Sequence, residues 1–126
     1  MAQNTKKLSI LVVEDEGLVA MLIEDMLMEM GHVVAAVVAH MPDGVDLARD
    51  GKFDLAIIDV NLDGQPSYPI AEILRRRGIP FIFATGYGAK GLDAEFVGTP
   101  TLAKPFASAD LEKLLLRLVK SDPSSM

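Results

Sequence analysis

The side chains best suited to chemistry each follow a short apolar run. Glu14-Asp15 comes after Leu8 to Val13, Asp59 after Leu55 to Ile58, Thr85 after Phe81 to Ala84, and Lys104-Pro105 after Thr101 to Ala103. Brought together in a partly desolvated cleft, the three carboxylates would repel one another by roughly several kcal/mol, raising a pKa unless a cation intervenes. Oxygen-only donors suit a hard divalent ion, and Mg²⁺ commonly keeps waters beside one or two carboxylates. Lys104 adds positive charge but, as an ammonium, no donor atom for a metal. An amine and a hydroxyl facing a carboxylate are what a phosphoryl group on that carboxylate would need. Metal and amine would neutralise its oxygens, and Thr85 would hydrogen-bond one of them. A cis Lys104–Pro105 bond, a minority state for X-Pro bonds, would aim the lysine inward.

These positions can meet only if the chain alternates strands with helices. Leu8 to Val13 reads as a buried strand, and Glu16 to Met30 as a helix ended by Gly31. The apolar set Val19, Leu22, Ile23, Met26, Leu27 and Met30 has i, i+3, i+4 spacing, so this face is expected on a sheet. His32 to Ala39 is a second strand, Pro42 to Asp50 a short helix closed by Gly51, and Leu55 to Ile58 a third strand. The turn-rich stretch Asn61 to Pro69 leads into a helix from Ile70 to Arg77, stopped by Gly78. Phe81 to Ala84 and Thr101 to Ala103 are the last strands, and a helix over Ser108 to Lys120 buries Leu111, Leu114, Leu115 and Leu118. Between those strands, Gly86 to Pro100 holds Gly86, Gly88, Gly91 and Gly98. Each glycine costs a helix roughly 1 kcal/mol relative to alanine, so at most a short helix around Leu92 to Phe96 is expected. The alternation predicts an α/β fold with parallel strands and helices on both faces. In such sheets the ligand crevice lies beyond the carboxyl ends of the strands, where all the residues above would gather.

Composition narrows the function classes. A chain of 126 residues suits one domain, here residues 1–120, with residues 121–126 as a frayed tail. Cysteine is absent, which excludes disulfides, thiolate zinc sites and a cysteine nucleophile. A net charge of −6, from 18 acidic against 12 basic residues, repels phosphate backbones and argues against nucleic acid as a partner. The basic run Arg75 to Arg77 reads as the solvated last turn of a helix. The first apolar run is too short for a membrane span or a signal segment and ends in Glu14-Asp15-Glu16, so no membrane contact and a cytoplasmic location are expected. His32 and His40 have no carboxylate or second histidine at ligand spacing and read as surface or strand-edge residues.

Leu11-Val12-Val13-Glu14-Asp15-Glu16, Ile57-Ile58-Asp59-Val60-Asn61, Phe83-Ala84-Thr85-Gly86 and Ala103-Lys104-Pro105-Phe106 occur in this order at strand ends. With these pieces the chain resembles the receiver domain of bacterial two-component response regulators, from about Lys7 to Leu118. The resemblance implies a flavodoxin-like (βα)5 fold with a five-stranded parallel sheet of order 2-1-3-4-5. It implies Asp59 as the phosphoacceptor, with Glu14, Asp15, Asp59 and the backbone carbonyl of Asn61 as Mg²⁺ ligands. Thr85 matches the switch hydroxyl and Lys104 the phosphate-pairing lysine. The implied donors are sensor histidine kinases or histidine phosphotransfer proteins. Such a protein is a phosphoacceptor that self-phosphorylates and dephosphorylates with Mg²⁺ rather than a dedicated enzyme. It signals by docking on a downstream protein, as a monomer or weak dimer.

Three departures stand out. Glu14 is one methylene longer than the commonest residue at its place, Thr101 stands where many receivers carry an aromatic switch, and a Gly-rich stretch replaces a regular fourth helix. With Phe83-Ala84-Thr85-Gly86-Tyr87 these resemble a subgroup marked by a Phe-Ala-Thr-Gly motif. Tyr87 is either a substitute for the missing aromatic or an exposed loop tyrosine. Met21 and Met28, off the buried helix face, are either loosely packed or an adaptable patch for a kinase helix bundle.

Plainer readings exist for each residue. Glu14-Asp15 could be an acidic helix cap, Asp59 a turn residue, and Thr85 and Lys104 ordinary loop positions. All of these must hold at one sheet edge at once, which weighs against them together. A phosphatase with a strand-end aspartate nucleophile is a competing class, but its usual second aspartate, two residues on, is here Asn61. A flavodoxin-like cofactor binder would need a Ser/Thr/Gly-rich loop after the first strand, which Glu14-Asp15-Glu16 is not. With no output domain expected after residue 126, the receiver could drive a target or drain phosphoryl groups from a shared kinase. An unphosphorylated interaction module usually lacks the aspartate or the lysine, and both are here.

Overall fold

A computed structural model of the chain describes residues 7–86 and 92–120. Tyr87 and the tail 121–126 lie outside the described residues. The elements run β1 Ser9–Val13, α1 Gly17–Glu29, β2 Val33–Val38, α2 Met41–Asp50, β3 Leu55–Asp59, β4 Asn61–Leu62, β5 Gln65–Pro66, α3 Tyr68–Arg77, β6 Phe81–Thr85, a 3₁₀ turn Ala94–Phe96, β7 Thr101–Ala103 and α4 Ser108–Lys120. The five-stranded sheet has the order β2-β1-β3-β6-β7, with every pairing parallel. Counting only these five strands, the order is the expected 2-1-3-4-5.

Alternation along each strand builds two cores. Leu11 and Val13, Ala56 and Ile58, and Phe81 and Phe83 pack with Leu62, Ile70, Leu74 and Phe96 on the α2–α3 face. Ile10 and Val12, Leu55 and Ile57, and Ile82 pack with Ile23, Leu27, Leu111 and Leu115 on the α1–α4 face. Because side chains alternate across a strand, a nearly continuous apolar run feeds both layers at once.

Helix ends follow backbone chemistry. After α1, Gly31 takes φ 89°, the Gly31 N–H donates to the Met28 carbonyl, and the His32 N–H donates to that of Leu27. This paired closure needs a left-handed residue, which glycine supplies without a Cβ penalty. On α1, Ala20, Ile23 and Leu27 are buried, but Leu22, expected on the docked face, is 57% exposed. Leu18, Met21 and Met28 are exposed beside it. Val19, Met26 and Met30 pack against the core at the margin of this face, so Leu22 alone of the expected set faces out. On α4, Leu111 and Leu115 are buried, while Leu114 and Leu118 are half-buried at the margin.

The stretch Asn61 to Pro69 is not a plain turn. It holds an antiparallel hairpin, Asn61 opposite Pro66 and Leu62 opposite Gln65, and α3 begins at Tyr68 rather than Ile70. Asp63 at φ 52° and Gly64 at φ 80° form the two-residue tip, the left-handed geometry that matches strand twist. The arginines ending α3 do more than face water. Arg77 donates to the carbonyls of Ala48 and Gly51, and Arg75 donates to that of Glu95 with its guanidinium 4.4 Å over the Phe96 ring. They tie α3 to α2 and to the segment before β7.

Candidate functional site

Strand register assembles the site. Val13 lies beside Ile58, Asp59 beside Ala84, and Thr85 beside Ala103, so Glu14, Asp59, Thr85 and Lys104 all emerge at one edge. Parallel strands end on the same side, so residues far apart in sequence become neighbours without long side chains having to reach. A cleft of about 420 Å³ opens there, lined by Asp15, Glu16, Asp59, Val60, Asn61, Thr85, Gly86 and Lys104. Glu14, Asp59 and Thr85 are buried.

The Lys104 amine donates to Glu14 Oε1 at 3.0 Å and to Asp59 Oδ2 at 3.1 Å, with Glu16 Oε1 at 3.6 Å. The Lys104 N–H donates to the Thr85 carbonyl, and the Lys104–Pro105 bond is cis. Desolvation pushes the Lys104 amine down, but its bonds to Glu14 and Asp59 outweigh this and raise its pKa above the usual lysine value. Burial pushes Glu14 up to about 7, with the neighbouring Asp59 adding to the rise and Lys104 opposing it. Burial also pushes Asp15 up, but hydrogen bonds, foremost from the Asp63 N–H, hold it below the usual aspartate value.

Glu14, Asp15 and Asp59 each offer a carboxylate oxygen, all within 4.8 Å of one another. This compact all-oxygen set, two of its members buried, fits a hard divalent cation such as Mg²⁺. The Asn61 N–H leaves the hairpin to donate to Asp59 Oδ1 at 3.1 Å.

Contributors that the sequence reading did not single out also surround the site. Ser67, wholly buried, donates from Oγ to the Asp59 carbonyl at 2.6 Å and so pins the backbone at the start of α3. Glu16 lines the cleft and approaches Lys104. His40, read as a surface or strand-edge residue with no carboxylate at ligand spacing, lies with Nδ1 3.1 Å from Asp63 Oδ2. A Ser at a helix start is a recognisable cap signal, and Asp63-Gly64 is a hairpin signal. The pairing of His40 with Asp63 joins separate loops and leaves no local trace.

Comparison with known proteins agrees with this fold. A family model described as the response regulator receiver domain matches residues 10–116. The chain is 32% identical over 106 residues to the transcriptional regulatory protein PdtaR of Mycobacterium tuberculosis, covering 81% of this chain and 52% of that one. The chain thus spans about half the length of the curated relatives it matches. The solution structure of SdrG from Sphingomonas melonis Fr1 superposes with a TM-score of 0.80 at 40% identity, covering 90% of this chain and 97% of that one. The receiver domain of the sensor histidine kinase PA1611 of Pseudomonas aeruginosa PAO1, with magnesium coordinated in its active-site cleft, gives a TM-score of 0.74 at 29% identity. That match covers 92% of this chain and 100% of that domain.

Proposed function

Because the chain belongs to the response regulator receiver domain family, we propose that it accepts a phosphoryl group on Asp59 in a two-component or phosphorelay pathway. The observation that carries this reading is the meeting of Asp59 Oδ2 with the Lys104 amine at 3.1 Å, beside the Glu14 and Asp15 carboxylates at an open cleft. A carboxylate oxygen of Asp59 attacks the phosphorus of a phosphohistidine on a histidine kinase or phosphotransfer protein. The new P–O bond forms as the P–N bond breaks, and the electron pair leaves with the imidazole nitrogen. Glu14, Asp15, Asp59 and the Asn61 carbonyl would hold Mg²⁺, which when bound neutralises phosphoryl oxygens. Lys104 trades its bond to the Asp59 carboxylate for one to a phosphoryl oxygen, and the Thr85 hydroxyl donates to another. Ser67 keeps the Asp59 backbone fixed while its side chain changes charge.

In this reading residues 1–120 form one receiver module. It works as a phosphoacceptor rather than a dedicated enzyme and signals by docking on a downstream protein. The exposed Leu18, Met21, Leu22 and Met28 on α1 supply an adaptable apolar patch for the phosphoryl donor. The reading places the protein in the cytoplasm; among the described residues no helix is long and apolar enough to cross a membrane. The test is incubation with Mg²⁺ and a small labelled acyl phosphate. Hydroxylamine-labile label on the wild type, absent from Asp59→Asn, is the expected result. Equal labelling of the two would overturn the assignment.

A further inference from the structure

We propose that His40 and Asp63 form a positioning pair for the cation site, an inference that rests on the Mg²⁺ part of the reading above. The β4–β5 hairpin holds two site carboxylates through backbone N–H groups, one from the strand residue Asn61 and one from the tip residue Asp63. The Asn61 N–H donates to Asp59 Oδ1 at 3.1 Å, and the Asp63 N–H donates to Asp15 Oδ2 at 2.9 Å. The second bond holds the Asp15 carboxylate in place beside Glu14 and Asp59. Its geometry depends on where the hairpin tip sits, and the tip is a two-residue turn at the end of strands only two residues long. Buried Leu62 anchors the ribbon at its base, but two residues per strand give the tip little hold of its own.

The tip is tethered instead by its side chain. His40 stands between β2 and α2, at the N-cap of α2, where its side chain makes no cap hydrogen bond. Its Nδ1–H donates to Asp63 Oδ2 at 3.1 Å. The β1–α1, β2–α2 and β3–α3 connections are thereby joined in series through His40, Asp63 and Asp15. Both side chains are well exposed, 66% and 56%, so the link is an ordering device with little effect on global stability.

Two substitutions separate positioning from folding. Asp63→Gly keeps the N–H and suits φ 52° but removes the carboxylate, whereas Asp63→Asn tolerates the same backbone and still accepts from His40. With Mg²⁺ binding followed by amide shifts in NMR titrations, His40→Ala and Asp63→Gly should each weaken affinity about two- to fivefold. The double variant should lose no more than the worse single one, because both break the same link. Asp63→Asn should restore wild-type affinity, and all variants should unfold at wild-type temperatures without Mg²⁺. Unchanged affinity in both single variants, multiplied losses in the double variant, or an Asn variant as weak as the Gly one would overturn the pair. A wild type that binds no Mg²⁺ would instead overturn the reading on which the pair rests.

Discussion

Replacing Lys104 by methionine keeps the length and apolar stem of the side chain and deletes only its charge. The amine lies 3.0 Å from Glu14 and 3.1 Å from Asp59, both buried carboxylates, and is itself 18% exposed. At an effective dielectric of about 20 each contact represents ~5 kcal/mol of attraction, most of it offset by desolvation. Removing one partner of such a pair costs about 3–5 kcal/mol, because the remaining charges stay buried. We take the lower figure, since the cleft is open to water. For a domain of this size ~3 kcal/mol corresponds to a fall in melting temperature of about 12 °C near pH 8. Glu14 sits at about 7 with the amine present and rises further without it. Near pH 5 it is therefore neutral in wild type and variant alike, so the contact with Asp59 is the charged pair that is lost and the cost should fall to roughly half. Scanning calorimetry with and without Mg²⁺ checks both parts. Mg²⁺ should raise the melting temperature of Lys104→Met more than that of the wild type, because it supplies the missing positive charge. A variant that melts within about 2 °C of the wild type in the absence of Mg²⁺, with equal gains on adding it, would refute the reasoning.

Other expectations follow from single contacts. Ser67→Ala removes the donor to the Asp59 carbonyl in a fully buried setting and should cost about 1–3 kcal/mol in urea unfolding. Mg²⁺ needs Glu14 ionised, so affinity measured by titration should fall as pH drops below about 7, by at most about tenfold per unit. Burial lowers the pKa of His32, with Glu112 opposing it, and its Nδ1 accepts from the Leu8 N–H. Its folded pKa is below the unfolded value, so the unfolded state binds the proton first as pH falls. Stability from this group is full above about 6.5 and is lost as pH falls through the folded pKa. Urea unfolding of His32→Asn should show a shallower decline over that range than the wild type.

The central strands were legible because a strand buried on both faces has to be apolar almost throughout, as Leu11-Val12-Val13 and Ala56-Ile57-Ile58 are, whereas the strand order came from the family resemblance. Once the strands are parallel, the residues after them converge by geometry. Glu14, Asp59, Thr85 and Lys104 could therefore be placed together without any knowledge of distances. Periodicity was less informative about how much of a face is used. Leu22 has the right spacing, but it faces out while Ala20 is buried. The hairpin was hidden because its strands are two residues each, too short for alternation to register, although Asp63-Gly64 carried its signature. His40 and Asp63, 23 residues apart, meet through exposed polar groups that neither composition nor period encodes.

The most direct test of the account is to find the residue that carries the phosphoryl group. Borohydride reduces an aspartyl phosphate to homoserine and leaves free carboxylates alone. After treatment with an acyl phosphate and Mg²⁺, reduction and tandem mass spectrometry of the peptides should locate homoserine at position 59 alone, and nowhere when Mg²⁺ is chelated. Modification at any other carboxylate, or at position 59 regardless of Mg²⁺, would contradict it.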